Sequence, residues 1–245
     1  MGVFVATNVK AWLDGYDVSG RLNQLGLEYA AELQDSTVFG LATRRRTGGL
    51  KTVKASLQGF ADYADDDIDE QLFARIGVAN SVFSVSPDGG DEGEIGFSFR
   101  AVTGTYQPGA SIGEMMAFSA EAECSDGDGL VRGMVMHNAT RTSSASGTAR
   151  QLGQVAAGQK LYAALHVLAA SAGDTLDVIV ESDNDSGFAS PITRVTFSQV
   201  SGAAIGAQWA TPVAGAITDD WWRVKWTIAG NGGESFQFVV IVGIK

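Results

Sequence analysis

The side chains able to do chemistry are few and scattered. His137 and His166 stand far apart and belong to no metal-type spacing, and Cys124 is the single cysteine. That arithmetic leaves no internal disulfide and no thiolate cluster for zinc. A Ser-His-Asp relay needs a histidine beside a nucleophile, yet no G-x-S-x-G elbow is present. Neither is HExxH, a Walker loop or a G-x-G-x-x-G that opens a helix. His166 lies in LYAALHVLAA, an alternating apolar run where a hydrogen-bonded sheet histidine is expected. Cys124 closes MMAFSAEAEC and reads as a buried, inert thiol. Carboxylates do pair, as Asp219-Asp220 and as Glu121 with Glu123, but a glycosidase raises two of them into a cleft. These read as solvated surface. The string ESDNDSG, Glu181 to Gly187, places oxygens at alternate positions like a piece of a calcium loop. It lacks the distal glutamate, so a turn between strands is the reading. No catalytic residue, metal or cofactor is expected, and the protein reads as a non-enzyme.

Charge is the stronger signal. Arg44, Arg45 and Arg46 are consecutive in a chain of formal net charge −11. Residues 1–138 hold 20 acids against 10 bases, and residues 139–245 hold 8 against 7. An acidic first half repels nucleic acid, which disfavours a DNA-gripping role and suits a wall that DNA slides past. Opposite the arginines stand two acidic groups, Asp65, Asp66 and Asp67 with their neighbours, and Asp88, Asp91 and Glu92. They are candidates for an acidic interface or a lumen lining, although Asp65 to Glu70 equally suits helix capping and a solvated face. Complementary patches on two sides of one molecule give head-to-tail contacts, which make rings or open stacks. The bland alternative is a hairpin with its arginines in water.

The elements that hold these residues read mainly as strands. KTVKASLQGF, EIGFSFRAV and EMMAFSAEAEC alternate with period two, as half-buried antiparallel strands do. Ser125-Asp126-Gly127-Asp128-Gly129 then signals a hairpin into GLVRGMVM. DDDIDEQLFARIG breaks the rhythm and predicts a helix capped by Asp65 and stopped by Gly77, with Ile68, Leu72, Phe73 and Ile76 on one face. The Ser/Thr/Ala/Gly stretch at 139–150 reads as a linker. It separates a core domain, 1–138, from a β-sandwich domain, 151–245, whose short strands are punctuated by Gly, Pro, Asn and Asp. In DDWWRVKWTI, Trp222, Val224 and Trp226 share the expected core face. Trp221 and Arg223 share the other, a candidate outer surface for a sugar or a neighbouring subunit. No run is long enough for a membrane helix, and MGVFVATNVKAW lacks the build of a signal peptide.

The order of these features resembles the tail tube proteins of long, non-contractile-tailed bacteriophages. DGYDVSGRLNQLGLEYAAEL, DSTVFGLATRRRTGGLKTVKASLQGFADY, the helix DDIDEQLFARIG, EIGFSFRAV and TGTYQPGASIGEMMAFSAEAE carry the resemblance, from about Val3 to Met136. It implies a tail-tube-like β-sandwich or barrel with one flanking α-helix, followed here by a C-terminal β-sandwich outside the tube. It implies homohexameric rings stacked head-to-tail into a hollow conduit, with Arg44, Arg45 and Arg46 at the ring-stacking interface. Implied partners are further copies of the chain, the tape-measure protein, the tail terminator and distal tail proteins, with DNA only in passage. The implied setting is the virion tail, assembled in the host cytoplasm. A host-surface glycan-binding module is the alternative reading.

Overall fold

Period-two alternation builds nearly all of this chain. The computed structural model describes residues 6–65 and 67–245. In chain order the strands are β1 (Lys10–Leu13), β2 (Tyr16–Asp17), β3 (Leu22–Asp35), β4 (Arg46–Phe60), β5 (Ser81–Ser86) and β6 (Ile95–Gly109). Then come β7 (Ala117–Cys124), β8 (Val131–Arg141), β9 (Ala145–Ser146), β10 (Arg150–Gln151), β11 (Lys160–Ala170) and β12 (Thr175–Asp183). The series ends with β13 (Ile192–Thr196), β14 (Val200–Ser201), β15 (Gly206–Trp209), β16 (Val213–Ala214), β17 (Trp221–Ala229) and β18 (Phe236–Ile244). One helix, α1 (Ile68–Ala74), follows β4. The fold is mainly β, as the alternation predicts.

Internal contacts divide the chain into two compact units. The first gathers the segment ending at Gly20 with Ser81–Phe99 and Val131–Lys245. Its larger sheet runs β15-β11-β18-β8-β6-β5-β1-β2, and a second sheet runs β10-β17-β12-β13. Leu161, Leu165, Phe236, Phe238 and Val240 of the larger sheet share one buried cluster with Val178, Val180, Trp222, Val224 and Trp226 of the second. This is a sandwich, and the predicted tryptophan face is its centre. The opposite face of β18 packs Val239 and Ile241 with Trp12 and Val135. Burial on both faces explains why KLYAALHVLAA and FQFVVIVGI are apolar almost throughout.

Strands β8 and β18 approach closely where Gly133 faces Gly243. A Cβ on Gly133 would lie 2.1 Å from the Val242 carbonyl oxygen and 2.7 Å from Gly243 Cα. Because backbone cannot yield as a side chain can, Gly133→Ala should destabilise the fold by about 1–3 kcal/mol. Urea unfolding checks this, and an unchanged midpoint would refute the close approach.

The stretch expected as a linker, 139–150, is woven into these sheets instead. Ala139, Thr140 and Arg141 extend β8 against Phe238, Gln237 and Phe236. Ser146 and Ala145 pair with Lys225 and Trp226, and Arg150 pairs with Trp222. Its small residues lie against large neighbours: a Cβ on Gly147 would sit 3.5 Å from the Trp226 ring, and Ser143 O accepts the Trp226 indole N–H at 2.9 Å. A composition that looks flexible is here the complement of a tryptophan. Consequently the contact-based units do not follow the expected boundary between 138 and 151, since β8 supplies a sandwich strand from the first half.

The second unit comprises Arg21–Asn80 and Arg100–Leu130. Its sheet runs β3-β4-β7-β6, with β6 contributing its residues from Arg100 onward. Val53, Ala55, Leu57, Phe118, Ala120 and Ala122 form the buried face. The turn 125–129 is present, but β7 and β8 do not pair with each other as a hairpin; β7 lies between β4 and β6. Arg100 holds that turn through Asp126 and Asp128. Helix α1 is capped by Asp67, whose carboxylate accepts the Ile68 N–H. Tyr106 O–H donates to Asp69 at 2.5 Å and ties the helix to β6. Ile68 and Leu72 are buried as expected, whereas Phe73 is 72% exposed and Ile76 is also exposed. The helix ends at Ala74, before Ile76, and its buried side is formed by Ile68, Gln71 and Leu72, which leaves Phe73 outside.

Candidate assembly interface

Strands β3 and β4 form a hairpin much longer than the sheet it springs from. They pair from Leu22↔Gly59 to Asp35↔Arg46, while β7 accompanies β4 only from Lys54 to Phe60. The eight residues Arg46–Val53 therefore extend about 25–30 Å beyond their neighbour as a two-stranded ribbon. Gly48-Gly49 lies inside β4. The ribbon is exposed from Glu32 to Thr52 except at half-buried Ser36, and its apolar side chains Leu33, Val38, Phe39, Leu41 and Leu50 face solvent. An isolated ribbon of two strands is marginal in water. Here an apolar one pairs with no strand beyond its own hairpin among the described residues.

The tip is nevertheless ordered by local bonds. Ser36 N–H donates to Arg45 O at 2.9 Å, Thr37 N–H donates to Asp35 Oδ1 at 2.9 Å, and Arg45 N–H donates to Thr37 Oγ1 at 2.9 Å. Thr37, through its side-chain hydroxyl first and its backbone N–H next, holds the Asp35 carboxyl below its ordinary range. Arg44 and Arg45 sit on the loop and Arg46 opens β4; all three are exposed and make no ion pair among the described residues. Their charge is presented outward on a fixed turn.

The expected acidic partners are dispersed. Asp65 is exposed in the turn before α1, and Asp66 lies outside the described residues. Asp67 is committed inside its own unit: Arg21 Nε donates to it at 3.0 Å and Arg21 Nη2 lies 2.5 Å away. That hydrogen bond, foremost, depresses its pKa. Capping is thus the role the structure gives Asp67. Asp88 and Asp91 lie on the loop between β5 and β6, Asp91 exposed. Their charges, after burial, help push Glu94 upward. Glu92 is turned inward, with Oε1 2.7 Å from His137 Nδ1 and 3.6 Å from Arg141.

On the second sheet of the first unit, Trp221 is half-buried and opens β17. Arg223 donates to Glu181 at 2.8 Å and stacks 4.3 Å from the Phe188 ring centroid. Its guanidinium is occupied. Asp219 accepts from Ser182 and Arg194, which together keep it well ionised. Asp220 accepts from Gln151. Both carboxylates are thus engaged by neighbouring side chains.

Sequence reasoning passed over the exposed face of the β3-β4-β7 sheet, having set Glu121 and Glu123 aside as surface. Register places Glu28 opposite Lys54, Lys54 opposite Glu123, and Ser56 opposite Glu121. Lys54 Nζ lies 2.9 Å from Glu121 Oε2, and that bond raises its pKa. Three carboxylates against one ammonium, among Ser56, Gln58 and Ser119, make a hydrophilic face of net negative charge. Strand β3, 14 residues long, is the outer strand of this sheet and pairs only with β4 among the described residues.

A serine and a histidine do meet, inside the first unit, where spacing gave no hint of it. His166 Nε2 lies 2.9 Å from Ser84 Oγ, and Ser84 Oγ lies 2.8 Å from Ser98 Oγ. The other ring nitrogen, Nδ1, accepts the Gly15 N–H at 3.4 Å. That bond assigns the proton to Nε2, so the imidazole donates to Ser84 and cannot take its proton. All three side chains are buried. The arrangement satisfies polar groups in a core, as the alternating run around His166 predicts. Cys124, expected buried, is half-buried at the end of β7.

No family model matches the chain, and no curated protein does. Among solved structures, it is similar to a chain of the virion of a native gene transfer agent particle, at 16% identity and TM-score 0.42, covering 52% of this chain and 98% of that one. It is similar to the SPP1 Dit (gp 19.1) protein, titled a paradigm of the hub adsorption apparatus in phages infecting Gram-positive hosts, at 10% identity and TM-score 0.38, covering 97% and 99%. A third likeness is to a chain of the sheath/tube terminator of an extracellular contractile injection system, at 10% identity and TM-score 0.43, covering 54% and 97%.

Proposed function

We propose that this protein is a structural, non-enzymatic subunit of a virion tail, the tail tube protein that self-assembles into stacked hexameric rings around a DNA conduit. The observation that carries the reading is the sheet of the second unit. It has a long outer strand, a hydrophilic acidic face, and a ribbon that leaves apolar and arginine side chains in water. Long unprotected edges invite pairing with another chain. A patch that meets a different patch on the next copy propagates around a ring or along a stack. The face bearing Glu28, Glu121 and Glu123 would line the lumen, where like charge keeps DNA moving. The tape-measure protein, a terminator and distal tail proteins are the partners this role requires. The occupied state of Arg223 gives no support to a glycan platform on β17.

Negative-stain electron microscopy at rising protein concentration, with mass from light scattering, tests the proposal. Rings or tubes are expected. Reversing Arg44, Arg45 and Arg46 to Glu should leave a folded subunit, judged by circular dichroism, that no longer stacks. Unchanged tubes in that variant would remove the arginines from the account.

A further inference from the structure

We infer that Asn231 is a site of self-modification: the backbone nitrogen of Gly232 closes on the Asn231 side chain, the Glu234 carboxylate takes the proton, and the asparagine becomes aspartate or isoaspartate. The inference is independent of the self-assembly proposed above and uses only the turn 230–235 of the first unit.

The chain has six asparagines, and Asn231 is the one followed by glycine. A glycine there brings no Cβ to hinder its own nitrogen. Gly232 and Gly233 take φ of +105° and +89°, which glycine adopts without strain. The turn joins β17, in the second sheet, to β18, in the larger one. Both of its ends are held. Gly230 packs so closely on Asp174 that a Cβ there would lie 2.0 Å from Oδ1. Ser235 N–H donates to Ser171 Oγ at 2.9 Å, and Ser171 N–H donates to Ser235 O at 3.0 Å. Between these anchors Asn231, Gly232 and Gly233 are exposed. The Asn231 side chain makes no hydrogen bond among the described residues, whereas Asn138 donates its amide to Gly90 O at 2.8 Å.

One contact supplies the chemistry. Gly232 N–H donates to Glu234 Oε1 at 2.8 Å, which sets a carboxylate on the proton that must leave as that nitrogen attacks. A general base has to be within this reach of its proton. At Asn184 the following N–H also faces a carboxylate, Asp183 Oδ1, but at 3.3 Å and on an aspartate whose own side chain crowds the nitrogen. The Gly232 nitrogen bonds to the Asn231 Cγ, and its proton passes to Glu234 and then to the departing amide nitrogen, which leaves as ammonia. The cyclic succinimide takes up one solvent water and opens at either carbonyl, to aspartate or to isoaspartate. One amide and one water thus become one carboxylic acid and ammonia, with nothing oxidised or reduced. Each event adds a carboxylate near Glu234 and buried Asp174, and the isoaspartate product lengthens the backbone between β17 and β18 by one carbon.

Ageing the full-length protein at pH 8 over several weeks tests this, with peptide mass spectrometry as the readout. Trypsin releases peptide 226–245, in which Asn231 is the single asparagine. The mass gain of an amide-to-acid exchange should appear at Asn231 before any other asparagine, with isoaspartate at that position. Glu234→Gln keeps a hydrogen-bond acceptor but cannot take the proton, and in a chain of native circular dichroism it should slow the exchange about tenfold or more. The wild-type chain unfolded in urea loses the same contact and should also age more slowly than the folded one, a comparison that needs no variant. A Glu234→Gln chain that ages as fast as wild type would overturn the role of Glu234. A folded chain slower than the unfolded one would show that the turn protects Asn231, and the inference would fall.

Discussion

Between pH 7 and pH 4 the protein is expected to lose several kcal/mol of stability, and the two histidines are the reason. His166 is buried, and burial pushes its pKa down from 6.5 to about 4, against a smaller opposing pull from Asp14. His137 is also brought to about 4, chiefly by burial and further by Arg141, with Glu92 opposing. Both are neutral in the folded state at neutral pH. The unfolded chain binds protons near pH 6.5, whereas the folded chain resists them until about pH 4. Protons therefore favour the unfolded state in that window, and stability falls as pH drops through it. A single histidine displaced this far accounts for about 3 kcal/mol. The depressed carboxyls of Asp67 and Asp219 act in a lower window: their stabilisation is present above the ordinary aspartate range and is lost only below it. Glu94, whose pKa is raised, has the opposite sign and gains slightly on acidification. Urea unfolding midpoints at pH 7, 5.5 and 4.5 measure the slope. A flat profile down to pH 4.5 would show that neither histidine is buried neutral, and His166→Gln should remove part of the slope.

Trp226→Ala is expected to cost about 3–5 kcal/mol, the range for deleting a buried aromatic ring from a packed core. Trp226 is buried in the middle of the sandwich, with its ring centroid 4.5 Å from that of His137 and 5.8 Å from that of Phe238. The Arg141 guanidinium lies 5.1 Å over it, and its indole N–H donates to Ser143 O. Truncation leaves a cavity, frees an acceptor and strips the cover from His137. The last effect couples the two predictions. With water admitted beside it, His137 should titrate closer to its ordinary value, so the variant should lose less on acidification than the native chain. Chemical denaturation at pH 7 and pH 4.5 reads both effects. A loss below about 1 kcal/mol at pH 7 would mean the site collapses around the gap. Trp226→Phe should recover most of the packing but not the bond to Ser143.

Local features of the chain were enough for the strand content, the core face of β17 and the presence of a helix after β4. Each depends on a period or on neighbours two to four residues away. Trp222, Val224 and Trp226 point one way because a strand alternates, and a run of carboxylates before an apolar helical face marks a helix start, although the cap falls on Asp67 and not on the expected Asp65. The arginine cluster and its sign were equally plain. The length of the ribbon was not, because Gly48-Gly49 acts as strand only when β3 pairs across it.

The stretch 139–150 shows the same limit. Serine, alanine and glycine read as flexible until the tryptophans that require small neighbours are known. The joining of His166 to Ser84 and Ser98, the occupation of Arg223 by Glu181 and Phe188, and the grouping of Glu28, Glu121 and Glu123 are contacts between strands remote in sequence. By itself the sequence determined which residues alternate, cap and carry charge, since those follow from local geometry and composition. The tertiary structure alone decided which charges are spent inside the molecule and which stand free, because pairing register places one strand's side chains against another's.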